Sequence, residues 1–308
     1  MRRLLATIVL LAPTLADAQR PPRDNPAALG GPSGGGELRL TFLGTAGWEI
    51  TDGRIVVLVD PFLSRDALVA DTARLNDSSG EALVRPDTAA IDARVRRADY
   101  ILVTHGHIDH ALDAPYVARK RRAVVIGTET IANIARAHGV PDSSLITVVG
   151  GEDYEFGTFS LRVIPNIHTA LRNKRFYNGP TAGTTPRGLK APLRVRDFQE
   201  GGNLAYLLRI AGHQVLIMGS MNYIEREMEG LRPDVALVGA NGNRRQIYDY
   251  TGRLMRALGH PALVLPTHCC DMLVDEEARA FEGEVKAASP GARVVIPTRF
   301  QPIVVPSR

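Results

Sequence analysis

The chain has 308 residues, 44% hydrophobic and 23% charged, the make-up of a globular protein of one large or two small domains that can bury a full core. That balance excludes a wholly disordered chain, and no internal repeat at solenoid spacing is present. A formal net charge of +4 is modest evidence about partners, so the distribution of charge says more than its total.

Taken in chain order, the N-terminus reads as an address rather than as fold. Arg2 and Arg3 precede an apolar run from Leu4 to Leu11 and a small-residue site at Ala16-Asp17-Ala18, the pattern of a signal peptide over residues 1–18. The run is too short for a permanent membrane span and no cysteine follows the cleavage point. A periplasmic or secreted protein with no stable membrane anchor is expected. Residues 19–36, with Pro21-Pro22, Gly30-Gly31 and Gly34-Gly35-Gly36, read as a flexible leader, and residues 37–308 as the folded domain.

Strands are predicted at Leu38–Phe42, Ile55–Val59, Ile101–Val103, Ala123–Ile126, Leu145–Val149, Phe159–Ile164, Leu204–Ile210, Val215–Met218, Val235–Val238, Ala262–Leu265 and Val294–Ile296. Helical patterns fall at Thr128–Ala137, Tyr248–Leu258 and Asp275–Ala287. Asp52-Gly53 between two apolar runs predicts a hairpin with positive φ at both central residues. Together these give an α/β protein with many strands.

Directly after Tyr100-Ile101-Leu102-Val103 comes Thr104-His105-Gly106-His107-Ile108-Asp109-His110. This is a strand ending in a loop that holds three imidazoles and a carboxylate, the donor set that borderline dications such as Zn²⁺ prefer. The bland alternative, solvated loop histidines, leaves the tight spacing without a reason.

The loop resembles the His-x-His-x-Asp-His signature of the metallo-beta-lactamase superfamily. Phe42-Leu43-Gly44-Thr45-Ala46-Gly47-Trp48-Glu49-Ile50 and the strand running into Asp60-Pro61 resemble the opening hairpin of its L-ascorbate-6-phosphate lactonase-like and N-acyl-phosphatidylethanolamine phospholipase D-like branch. The resemblance covers about residues 37 to 300. It implies a four-layer αββα sandwich with metals at one edge. His105, His107 and His168 would form one site with an open position for water, and Asp109, His110 and His268 a second. The implied cofactor is one or two zinc ions, with Mn or Fe as alternatives. The implied chemistry is attack by a zinc-bound hydroxide on a carbonyl or phosphorus centre, with Asp109 steering the nucleophile or taking its proton. Asp60 would fix ligand orientation from behind the site. One residue departs from the pattern: Ser220 stands where this branch carries an aspartate bridging two metals. A neutral hydroxyl is a poor substitute, and Asn222, Cys269 or Cys270 are candidates to compensate.

Cys269 and Cys270 are adjacent, so a disulfide between them would be strained; two small buried residues, a thiolate near the metal and a redox pair all remain open. Between Leu171 and Arg196 lie Arg172, Lys174, Arg175, Arg187, Lys190, Arg194 and Arg196 with no acidic residue. Such a long insertion after a ligand reads as a lid or pocket wall that binds an anionic substrate, chiefly through Arg172, Lys174 and Arg175. A solvated basic loop is the alternative. Nucleic acid is not expected, since only Phe176 and Tyr177 interleave. His138 is expected to close a helix as a cation, and His213 and His260 to lie at the surface. The function these features imply is an exported metal-dependent hydrolase of a small anionic ester, lactone or phosphodiester. The alternatives are a beta-lactam-hydrolysing enzyme and a metal-binding protein with little turnover.

Overall fold

A computed structural model of the protein describes residues 36–71, 79–169, 183–268 and 275–307. The signal peptide, almost all of the leader, Arg172, Lys174, Arg175, Cys269 and Cys270 lie outside the described residues.

Two seven-stranded mixed sheets face each other. The first contains β1 (Leu38–Gly44), β2 (Gly47–Thr51), β3 (Val56–Val59), β4 (Tyr100–Leu102), β5 (Val124–Gly127), β6 (Leu145–Thr147) and β14 (Pro302–Val305), in the order β14-β1-β2-β3-β4-β5-β6. The second contains β7 (Asp153–Glu155), β8 (Phe159–Asn166), β9 (Asn203–Ile210), β10 (His213–Met218), β11 (Val235–Gly239), β12 (Leu263–Thr267) and β13 (Arg293–Val294), in the order β13-β12-β11-β10-β9-β8-β7. In each sheet one half pairs antiparallel and the other parallel, so the halves are pseudo-symmetric: β3 corresponds to β10 and β4 to β11.

Helices α1 (Arg65–Ala70), α2 (Thr88–Arg94), α3 (Ile108–Ala111), α4 (Ala114–Arg121) and α5 (Glu129–Ala137) belong to the half of the chain that builds most of the first sheet. Helices α6 (Glu225–Met228), α7 (Tyr250–Leu258) and α8 (Asp275–Ala288) belong with the second. Three apolar clusters result, one between the sheets around Trp48 and Tyr206 and one under each helical layer. This is the expected αββα sandwich. The parallel strands are covered on both faces, which is why Val57-Leu58-Val59 and Ile101-Leu102 read as unbroken apolar runs.

Two buried polar ties join the sheets at the edge where the ligands lie. Trp48 donates Nε1–H to Thr267 Oγ1 at 3.0 Å, next to His268, and the Tyr206 hydroxyl donates to the Val103 carbonyl at 2.8 Å, two residues before His105. Each bond satisfies a buried polar group and fixes the distance between opposing strand ends.

Several local expectations differ. The Asp52-Gly53 loop has positive φ at Gly53 but not at Asp52, whose carboxylate instead accepts from Arg54 N and Ile55 N at 2.9 and 3.0 Å. An Asx turn therefore replaces the two-residue hairpin turn. The loop of ligands is partly helical, because the chain winds into α3 at Ile108 and places Asp109 and His110 on its turn. His213 is buried, not superficial: its Nδ1 meets Asp234 at 2.5 Å and its Nε2 meets the Pro306 carbonyl at 3.1 Å. His138 does cap α5, but its Nδ1 bonds the Ile134 carbonyl at 2.9 Å and burial lowers its pKa, which works against the expected cation. His260 is exposed, as expected.

Candidate metal centre

The centre is assembled where β4 ends. Val103 N still bonds the Ile126 carbonyl at 3.0 Å, and Thr104 and His105 follow at full burial. Gly106 then passes against the segment before β9, its N–H donating to the Glu200 carbonyl at 2.9 Å. A Cβ there would overlap the Gln199 carbonyl, so only glycine lets the ligand loop through. His107 is the N-cap of α3, His168 follows β8, and His268 follows β12 with φ of 53°, its N–H held by the Thr45 carbonyl at 2.6 Å.

These elements bring the six expected ligands into two groups. His105, His107 and His168 offer ligand atoms within 4.8 Å of one another, as do Asp109, His110 and His268. In the first group the ring centroids form a near-equilateral triangle of 4.7, 4.8 and 4.7 Å, with the planes 79°, 73° and 77° apart. In the second, Asp109 Oδ2 lies 3.3 Å from both His110 Nε2 and His268 Nε2.

Asp60 organises both groups. Fully buried at the end of β3 with φ of 38°, it accepts from Thr104 N at 2.8 Å, Thr104 Oγ1 at 2.7 Å and His110 Nδ1 at 2.8 Å. Since the Thr104 hydroxyl gives its proton to Asp60, it accepts the Nδ1–H of His105 at 3.1 Å. One carboxylate thus turns His110 directly, and His105 through Thr104, so that Nε2 faces the site in each. Among the described residues, buried His105 Nε2 has no hydrogen-bond partner. Thr104 carries no signal in the sequence beyond standing before His105. Gly219 is needed for the same network, because a Cβ there would overlap Thr104 Oγ1 and crowd Asp60 Oδ2. Gly219→Ala should cost about 1–3 kcal/mol through forced repacking and loosen metal binding with it. Denaturant melts with and without zinc check this; a variant matching wild type in both would contradict it.

Ser220 does not stand in for the missing carboxylate. Its Oγ accepts from Thr169 N at 2.9 Å, and Asn222 donates Nδ2–H to the His168 carbonyl at 3.3 Å while its Oδ1 accepts from Tyr223 N. Both side chains fix the backbone that presents His168.

Electrostatics separate the two groups. Burial, then the neighbouring imidazoles, hold His105 well below its ordinary value and push His168 down to about 3. Both rings are therefore neutral with lone pairs available, as ligation requires. Burial would also lower His110, but the Asp109 and Asp60 carboxylates overcome it and raise it to about 10. Burial would raise Asp109, yet His110 and His268 hold it well below the usual carboxylate range. Neutral imidazoles around a partnerless buried Nε2, and a carboxylate beside two more rings, fit a divalent metal.

The His168 shift fixes a pH dependence. Between about pH 6.5 and 3 the unfolded chain binds a proton that the metal-free native state refuses, so stability falls as pH drops through that window, by up to about 1.4 kcal/mol per pH unit. His105 acts in the same direction. Asp113 opposes them: burial pushes it up to about 7 against hydrogen bonds from Ser64, so its ionisation costs stability as pH rises from about 4 to 7. Urea titrations of the metal-free protein across this range should show a flatter slope for His168→Asn than for wild type.

Of the basic stretch, three arginines of the described portion have acidic partners at the surface. Arg187 pairs with Asp142 at 3.6 Å, Arg194 with Glu81 at 3.1 Å, and Arg196 also with Glu81.

Comparison with known proteins agrees with this geometry. The family profile for the Beta-lactamase superfamily domain matches residues 39–268. A UPF0173 metal-dependent hydrolase of Christiangramia forsetii is 31% identical over 151 residues, 49% of this chain and 58% of that protein. One from Carboxydothermus hydrogenoformans is 26% identical over 275 residues, covering 84% of this chain and 100% of that protein. Among solved structures, the metallo hydrolase Igni18 of Ignicoccus hospitalis superposes with a TM-score of 0.59 at 16% identity, over 88% of this chain and 100% of that one, a likeness of fold.

Proposed function

The chain belongs to the metallo-beta-lactamase superfamily, and from that premise we propose that it is an exported, zinc-dependent hydrolase of a small anionic ester, lactone or phosphodiester. The observation that carries the reading is the triangle of near-perpendicular imidazoles with an ionised carboxylate beside it.

His105, His107 and His168 would hold the first ion and Asp109, His110 and His268 the second. A zinc ion bound there supplies Lewis acidity and makes water ionisable near neutral pH. An imidazole that binds through a lone pair carries no charge, so His105, His107 and His168 would leave the full positive charge of an ion at the first group available to the reacting oxygen. Asp109 and His268 keep 30% and 22% of their side chains exposed, so substrate approaches from their side. Asp109, ionised and adjacent to the ligands, is placed to accept the proton of the attacking water.

Export is supported by the Arg2-Arg3 start, the apolar run and the Ala16-Asp17-Ala18 site. The anionic substrate is supported by the charge of Arg172, Lys174 and Arg175, since Arg187, Arg194 and Arg196 already have acidic partners. Neutralising Arg172, Lys174 and Arg175 together should raise KM about tenfold or more for an anionic substrate, raise it less for a neutral analogue, and leave metal content unchanged. The wild-type preference should weaken with salt. Equal effects on both substrates would remove the support for an anionic ester. The reading as a whole is tested by screening the protein from Gln19 onward against bis-aryl phosphodiester, phosphomonoester, lactone, thioester and cephalosporin substrates, with bound metal measured in parallel. Chelator-sensitive turnover of an anionic ester is expected; selective turnover of the cephalosporin would overturn the substrate assignment.

A further inference from the structure

The starts of the parallel strands in the first sheet gather positive charge. Arg54 stands just before β3, Arg96 and Arg97 just before β4, and Arg119, Lys120, Arg121 and Arg122 close α4 and lead into β5. Backbone pairing brings the three starts together: Asp99 N–H donates to the Val56 carbonyl at 2.9 Å, and Val124 N–H to the Asp99 carbonyl at 3.0 Å. Apart from half-buried Arg121, these side chains are exposed. The last turn of a helix accounts for cations on α4. It does not account for Arg54, Arg96 and Arg97, which lie outside the helices.

The charge is only partly balanced. Asp99 pairs with Arg97 at 3.0 Å, Asp92 with Lys120 and Arg121 at 3.4 and 3.1 Å, and the Asp52 carboxylate accepts from Arg54 N rather than from its guanidinium. Among the described residues, Arg54, Arg96, Arg119 and Arg122 therefore keep no carboxylate at salt-bridge distance. These seven cations outnumber the three carboxylates by four, a surplus as large as the formal charge of +4 on the whole chain. Three of the guanidinium groups rest on neutral acceptors. Arg97 donates to the Arg54 carbonyl and Arg121 to the Val95 carbonyl, both at 2.6 Å, and Arg119 donates to the His138 carbonyl at 3.0 Å. Such bonds fix a cation without cancelling its charge, so a partner meets heads that are already ordered.

We propose that this edge is a docking surface for an anionic phospholipid bilayer. Adjacent strands lie about 4.8 Å apart, so cations before β3, β4 and β5 form a patch about 10 Å wide rather than a stripe, and each basic group near an anionic lipid surface adds to binding. A nucleic acid fits it less well. Tyr100 packs into the core and the Tyr116 hydroxyl donates to Asp92 at 2.8 Å, so neither ring beside the patch offers itself for base stacking. The contact is electrostatic and reversible, with no inserted segment. It also sets an orientation: β4 runs from this edge to His105, about 20 Å between Ala98 and Thr104, so docking turns the metal centre away from the bilayer and toward dissolved substrate. The inference goes beyond the hydrolase reading and does not depend on it.

The test uses the protein from Gln19 onward, which contains the whole described fold and lacks the apolar run from Leu4 to Leu11. Co-sedimentation is measured with vesicles of phosphatidylcholine alone and of phosphatidylcholine with one-third phosphatidylglycerol, at low and high salt. A short DNA duplex serves as the competing polyanion. Three triple variants are compared: Arg54→Gln with Arg96→Gln and Arg122→Gln; the same three positions changed to Lys; and, as a control for total charge, the exposed Arg85→Gln with Arg226→Gln and Arg279→Gln. Wild type should sediment with the phosphatidylglycerol vesicles at low salt, stay in solution with phosphatidylcholine alone, and be released as salt rises. The first triple should bind about a hundredfold more weakly, the Lys triple as wild type does, and the control should lose less than about threefold. Urea midpoints and zinc content should be the same throughout, which keeps a failure of docking distinct from a failure of the metal reading. Wild type that ignores the anionic vesicles, equal losses in the first and control triples, loss of binding in the Lys triple, or tighter binding to the duplex than to the vesicles would overturn the proposal.

Discussion

Replacing His105 and His107 with alanine together should abolish zinc retention at the first group and reduce chelator-sensitive hydrolysis by about a thousandfold or more, to the level of chelated wild type. Two of the three imidazoles of the first group are then missing, and a single His168 cannot hold an ion against water. The stability consequence is large with metal and small without it. Wild type should gain RT ln(1 + [L]/Kd) from the first group, about 4 kcal/mol at a thousandfold excess over Kd, and the double variant should lose that contribution. Without metal the variant should lose little, because His105 Nε2 is a buried group with no hydrogen bond among the described residues, whose removal relieves a desolvation penalty. Paired melts with and without zinc, with metal content measured on each sample, check all three points. Unchanged zinc stoichiometry would remove the site assignment.

Asp60→Asn should be nearly as damaging, although Asp60 touches neither of the proposed ions. Its carboxylate accepts three hydrogen bonds in a fully buried position, and an amide can accept with one oxygen only. The variant strands a donor of Thr104 or His110 and frees both His105 and His110 to rotate. A stability loss of about 3–5 kcal/mol and a drop in metal affinity of about 10–100-fold at both groups are expected. Calorimetric zinc titration and urea unfolding separate the two effects. A variant that loses stability but binds both ions as wild type does would show that Asp60 supports the fold without orienting ligands.

The legible part of this protein lay in its patterns. The apolar runs at β3, β4 and β12 showed in sequence because parallel strands buried on both faces leave no room for polar residues. His105, His107, Asp109 and His110 were visible because the ligands are local. His168 and His268 come from distant strand ends, and only resemblance pointed to them; position in the chain carries no information about which loops converge. The short helices α1, α3 and α6 have too few residues to show a period, so the winding of Asp109 and His110 onto a helical turn was out of reach. His213 looked like a turn residue because its partners, Asp234 and Pro306, lie 21 and 93 positions away. Thr104 and Gly219 act through one hydrogen bond or one missing Cβ, and no composition or spacing encodes that.

The central claim is that hydrolysis depends on a metal held by His105, His107 and His168. Its most direct test is a titration of the metal-free protein with zinc in which bound ions, counted by native mass spectrometry, and hydrolysis of the best substrate from the screen are followed in the same samples. Expected are no turnover without metal, turnover rising in proportion to the first ion bound, and, in the His105 and His107 double variant, the loss of that ion and of turnover, with Asp109, His110 and His268 left to bind at most one. Turnover by the metal-free protein that zinc does not raise, or full turnover in the double variant, would contradict it.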